Sequence, residues 1–143
     1  MLKGIDPVLS GELLKVLDEM GHADKLLLVD RNYPAFASGR PVIQLGEITQ
    51  KRAAEAILSV FPLDTYVEHP LERMEVNDDA SIVAEVQAEV LDVARANHEK
   101  PLDYLVVPRL EFYVRAAEAF AVVRTLETRP YGCFILQKGV VFD

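Results

Sequence analysis

The run KLLLVD at residues 25–30 sets four apolar side chains in succession, Leu26 to Val29, with no polar residue alternating among them. A strand of that kind is covered on both faces, so its sheet needs a helical layer on each side. That requirement selects an α/β arrangement. SGELLKVLDEM, residues 10–20, spaces Leu13, Leu14, Val16, Leu17 and Met20 at helical intervals behind a Ser10 cap. Gly21 is the expected left-handed stop of that helix. TQKRAAEAILSVF reads as a second helix capped by Thr49, LDTYVEH as a strand, and DASIVAEVQAEVLDVARANH as a long third helix carrying Ile82, Val83, Val86, Val90 and Val93. DYLVVP is a short buried strand and LEFYVRAAEAF a fourth helix. FAVVRTLE and CFILQKGVVF are two final strands joined by the turn-rich TRPYG. RNYPAFASGRP reads as loop. The expected fold is a layered α/β sandwich with a central, mostly parallel sheet flanked by helices, one domain over residues 1–143.

Charge narrows the partners. Fifteen basic against 23 acidic residues give a net charge of −8 with no Lys/Arg cluster, so neither nucleic acid nor an anionic membrane is an expected partner. A neutral small molecule or a protein fits better. Cys133 is the one cysteine, which argues for a reducing compartment, the cytoplasm, and against a disulfide or a structural zinc. The opening MLKGIDPVLS lacks the charged start and apolar run of an export signal, and no stretch has the roughly eighteen apolar residues of a membrane span.

In sheets of this class ligands gather beyond the carboxyl ends of the strands. Asp30 follows one strand, Arg109 follows YLVVP, and Tyr131 lies in the turn after FAVVRTLE, while His22 stands just before the first strand. There is no phosphate-binding glycine loop, no Gly-x-Ser-x-Gly elbow and no His-Glu-x-x-His, and His22, His69 and His98 are too scattered for a metal site. Cys133, opening an apolar strand, resembles a small buried hydrophobe more than a nucleophile. Acid and base chemistry without a cofactor remains. Each residue also has a plain structural explanation: the helix dipole for His22, a turn or cap for Asp30, a helix start for Arg109, a good turn sequence for Tyr131. Arg115, Glu118, Glu85 and Glu89 read as a solvated helix face and His69 and His98 as surface, while Phe112 and Tyr113 fit core packing first, a subunit contact second, and a sugar platform as the remaining alternative.

The segments MLKGI, LLKVLDEMGHAD, LLLVDRNYPA, PLDTYVEHP, RLEFYVRAAEAFAVVRTLE and YGCFILQKGV, spanning nearly the whole chain, resemble the fucose mutarotase and ribose pyranase family, and its fucose branch in particular. The resemblance implies a cofactor-free, metal-free isomerase that interconverts the α and β anomers of a free monosaccharide, most closely L-fucose. It implies His22 as catalytic acid, Tyr131 as a second proton relay or hydroxyl contact, and Asp30, Arg109, Tyr131, Gly132 and Cys133 as the sugar site. It also implies a homo-oligomer, a ring decamer or smaller, with sites near subunit contacts. Arg109 and the pair Tyr131-Gly132 stand where the ribose branch usually has His and Tyr-Ala. Three positions depart from the family pattern: Cys133 replaces an Asn, Gln44 an Arg, and Arg31 an Ala. The departures at Cys133 and Gln44 keep a second expectation open, a sugar-binding or regulatory module without catalysis.

Overall fold

The computed structural model describes all 143 residues. Six strands form one sheet in the order β2-β5-β1-β6-β3-β4, with β1 at Lys25–Val29, β2 at Val42–Gly46, β3 at Leu71–Met74, β4 at Leu105–Val107, β5 at Ala121–Thr125 and β6 at Phe134–Gln137. β1 runs parallel to β5, β5 to β2 and β3 to β4, while β6 runs antiparallel to both β1 and β3. Five strands therefore point one way, and the amino end of β6 shares an edge with their carboxyl ends.

The unalternating KLLLV run divides between two cores. Leu26 and Leu28 join the core beneath α1 (Gly11–Glu19), α2 (Gln50–Leu58) and α3 (Glu85–Ala96), which is filled by Leu13, Leu17, Ile57, Val90, Phe134 and others. Leu27 and Val29 face a smaller core closed by Phe112 and Ala116 of α4 (Arg109–Ala116). The layered sandwich with a mostly parallel sheet is the fold observed. Ser10 and Thr49 accept from the amides of Leu13 and Arg52, the capping geometry their positions predict.

Five local expectations need correction. LDTYVEH is not a strand. Asp64 breaks it by accepting from the Tyr66 amide, and the strand comes later, at LERM. There Glu72 and Arg73 are buried rather than solvated: Glu72 pairs with Arg115 and Lys25, and Arg73 donates to Gln87 and two carbonyls. Arg115 is thus half-buried and paired, not free on a solvated face. VIQLG, given no element from sequence, is edge strand β2. α3 begins at Glu85, leaving Ile82 and Val83 exposed on the preceding loop. Finally, Gly21 is not the left-handed residue at the end of α1. Lys138 Nζ instead caps that end by donating to the carbonyls of Leu17 and Met20, and Ala23 takes the positive φ, 72°.

Candidate functional site

A cleft of about 250 Å³ opens at the edge where the five parallel strands end. Each side chain reaches it because a strand ends there. Asp30 is the first residue beyond β1, Met74 ends β3, and Arg109 begins α4 one residue, Pro108, beyond β4. Tyr131 and Cys133 belong to the turn that enters β6, which the reversed direction of β6 brings to this edge. Asn32, Tyr33 and Tyr113 complete one wall, with the two tyrosine rings stacked at 5.5 Å.

Asp30 is buried, and its carboxylate accepts from four donors of the chain. Oδ1 takes the amides of Asn32 at 2.9 Å and Tyr33 at 3.2 Å; Oδ2 takes the Gly132 amide at 3.1 Å and the Cys133 thiol at 3.7 Å. The turn 131–133 is thereby tied to the end of β1. Burial, followed by the neighbouring Asp30 charge, pushes the Cys133 thiol up, so it stays a thiol donor and no nucleophile. Burial also pushes the Tyr33 hydroxyl up, leaving it a proton donor at neutral pH. Tyr131 has φ of 63°, unusual for a bulky side chain, and its hydroxyl donates to Asn77 Oδ1 at 2.8 Å. Arg109 is exposed on the rim and takes part in no ion pair, so its donors are free for a ligand.

His22 is not in this cleft. It precedes β1, at the opposite edge of the sheet, in the turn whose Ala23 amide donates to the Lys138 carbonyl beyond β6. Five residues of strand, ~3.3 Å each, lie between the two edges. There Nε2 meets Asp64 Oδ2 at 3.1 Å, and the imidazole leans against the Tyr66 ring at 5.5 Å. Burial pushes the Asp64 carboxyl up, but the Tyr66 amide, Gln137 and His22 outweigh it and hold it below its ordinary value. An ionised carboxylate only accepts, so Nε2 carries the proton and Nδ1 is left free in a side chain 47% exposed. The carbonyls at the end of α1 are met by Lys138 rather than by the His22 ring.

The structure thus brings Asp30, Arg109, Tyr131, Gly132 and Cys133 to one place and leaves His22 elsewhere. Sequence reading did not single out Asp64, Tyr33 or Met74. Asp64 sits within the misassigned LDTYVEH segment, Tyr33 within the loop RNYPAFASGRP, and Met74 in a segment given no element. A second recess of about 350 Å³ lies nearby at the same edge, walled by Arg31, Glu47, Thr49 and Glu127. Its most buried charge, Glu127, is already engaged by Arg129 and the Gln50 amide, so the recess offers a ligand little that is unspoken for.

Comparison with known proteins adds a second line of observation. The family model described as the RbsD / FucU transport protein family matches residues 3–141. The chain is 45% identical to an L-fucose mutarotase of Glaesserella parasuis over 141 residues, covering 98% of this chain and 96% of that protein. Among solved structures, it is similar to the fucose mutarotase of Streptococcus pneumoniae in complex with L-fucose. The TM-score is 0.87 and the identity 33%, with 99% and 100% of the two chains covered. It is also similar to Bacillus subtilis RbsD complexed with D-ribose, with a TM-score of 0.75, 26% identity and coverage of 99% and 100%.

Proposed function

This chain belongs to the RbsD / FucU transport protein family, and we propose that it is a cytoplasmic sugar mutarotase that interconverts the α and β anomers of L-fucose by general acid and base catalysis, without a cofactor. The observation that carries the reading is two incomplete sites at opposite edges of the sheet. One is a cleft with a free guanidinium and fixed hydroxyl and carboxylate groups; the other is an exposed imidazole backed by a buried carboxylate.

Anomer exchange needs little more than these groups. A proton delivered to the ring oxygen lets the bond from that oxygen to the anomeric carbon break. The anomeric C–O bond becomes a carbonyl as its hydroxyl proton leaves to water, and after rotation the ring closes on the other face with both protons returned. His22, its Nε2–H held by Asp64, has Nδ1 available to carry the proton to and from the ring oxygen. Arg109 offers paired donors to adjacent sugar oxygens. A sugar hydroxyl approaching Asp30 displaces the weakest of its four contacts, the 3.7 Å thiol. Tyr131, whose proton is directed at Asn77, serves as a hydroxyl contact rather than a relay.

His22 reaches such a cleft only in a second copy of the chain. Both half-sites carry exposed apolar side chains suited to a subunit contact: Leu110 and Val114 on α4 beside Arg109 and Tyr113, and Tyr66 and Val67 beside His22. Because the two patches lie at opposite edges, their contact is head-to-tail, and repetition closes into a ring when the rotation permits. A homo-oligomer with sites between copies follows.

Exchange NMR on the anomeric protons of L-fucose, with D-ribose alongside, tests the reading. Faster exchange with fucose that is lost in His22→Asn supports it. Binding of either sugar without faster exchange shifts the protein to a sugar-binding module.

A further inference from the structure

We infer that Gln50 and Gln87 are positioning residues of the sugar cleft, each donating its side-chain amide to one of two consecutive carbonyls of the turn and together holding Tyr131 where it lines the site. The inference rests on the reading of that cleft as the sugar site.

Gln87, in the first turn of α3, is fully buried, and every hydrogen-bonding position of its amide is used. Oε1 accepts from Arg73 at 3.1 Å and from the Ala84 amide at 3.1 Å. Nε2 donates to the carbonyls of Met74 at 2.8 Å and Tyr131 at 3.2 Å. Two donors face the oxygen and two acceptors face the nitrogen, so the amide has one orientation only. Arg73 is itself buried, and its hydrogen bonds go to Gln87 and two carbonyls, with no carboxylate among them; its charge makes the bond to Oε1 a strong one.

Gln50, the first residue of α2, is equally buried. Its Oε1 accepts from the Thr125 hydroxyl at 2.9 Å, and its Nε2 donates to the Gly132 carbonyl. The turn lies so close on this side chain that a Cβ at Gly132 would stand 3.1 Å from Gln50 Cγ. Met74, Tyr131 and Cys133 line the cleft, so both glutamines act on cleft residues from behind without touching the cleft.

The arrangement answers a specific need. Tyr131 is in the left-handed region, where a non-glycine residue is held at ~1–2 kcal/mol above its preferred conformations. With the Tyr131 and Gly132 carbonyls fixed by the two amides and the Gly132 amide fixed by Asp30, both peptides are pinned and the ring has one place to go. Nothing in the clamp reaches the acid, so loosening it should weaken sugar binding and leave the proton step alone.

The test compares the full-length parent with Gln50→Met, Gln87→Met, Thr125→Val and Thr125→Ser, reading kcat and KM for L-fucose anomer exchange and Kd by NMR titration. Each Met variant is expected to raise KM and Kd about tenfold, the affinity equivalent of one buried hydrogen bond, with kcat within about twofold of the parent. Thr125→Val is expected to raise KM about threefold and Thr125→Ser to restore it, because only the hydroxyl orients Gln50. Parental KM in the folded Met variants overturns the clamp, as does a fall in kcat at unchanged KM. If the Met variants fail to fold, the Thr125 pair decides: equal KM for Val and Ser overturns it. A parent that binds L-fucose without accelerating exchange defeats the mutarotase reading alone, and Kd then reads the clamp. A parent that neither binds nor exchanges defeats both.

Discussion

His22 and Asp30 flank the same five-residue strand from opposite ends, His22 before Lys25 and Asp30 after Val29. No rotamer change within one chain brings them to one sugar ring. On the proposed reading each is half of a site: His22 is backed by the buried Asp64, and Asp30 anchors the turn 131–133.

Asp64→Asn removes the carboxylate that fixes the His22 tautomer. Because a hydrogen bond to a charged group contributes roughly 1.5–3 kcal/mol, kcat for L-fucose exchange should fall about ten- to a hundredfold. KM should hold within about twofold, since Asp64 lies at the edge of its own chain away from the cleft. Steady-state exchange kinetics on the variant check both numbers.

Two glycines should rank in opposite order of tolerance. A Cβ at Gly139 would stand 2.7 Å from Asp64 Cα and 2.8 Å from the Leu63 carbonyl, both backbone atoms that cannot step aside. At Gly132 the nearest atom is a side-chain carbon, Gln50 Cγ at 3.1 Å. Urea unfolding should therefore show Gly139→Ala destabilised by about 3 kcal/mol or more and Gly132→Ala by about 1 kcal/mol. By displacing Asp64, Gly139→Ala should also depress kcat.

Acid should weaken the fold through one network. The Arg129 guanidinium, aided by the amides of Arg129 and Gln50, holds the Glu127 carboxyl at about 2 against the burial that pushes it up. Arg129 also lowers Glu89. Since the unfolded chain takes up its proton near 4.5, the stabilisation is complete above that pH and is lost as pH falls towards 2. Urea midpoints measured from pH 6 to pH 3 should drop, and Glu127→Gln should flatten the drop while lowering stability at pH 6.

Much of this was legible in the residues. The KLLLVD run required cover on both faces, Ser10 and Thr49 marked helix starts, and the carboxyl-end rule gathered Asp30, Arg109 and Tyr131 before any coordinates. What escaped has a common cause, polar residues buried by partners distant in sequence. Glu72 and Arg73 left β3 without a strand pattern, because Arg115 and Gln87, which satisfy them, come 43 and 14 residues later. Glu89 looked solvated until Arg129, 40 residues on, bound it. Gln50 and Gln87 carry no motif, and their role exists only through carbonyls 82 and 44 residues away. His22 was expected to share a pocket with Asp30, Arg109 and Tyr131, but it precedes β1 while they stand at the carboxyl edge, where the antiparallel course of β6 brings Tyr131.

The most direct test of a site shared between copies is co-expression of His22→Asn with Arg109→Met. Each variant alone should lose about a hundredfold or more of the exchange rate, as removal of a positioned acid or an anchoring cation predicts. With random mixing, a cleft from the His22→Asn chain meets an intact His22 from the Arg109→Met chain at about one site in four, so the mixture should recover about a quarter of parental activity. A mixture no more active than the mean of the two variants would contradict the account and return His22 to a structural role or the cleft to a site of its own.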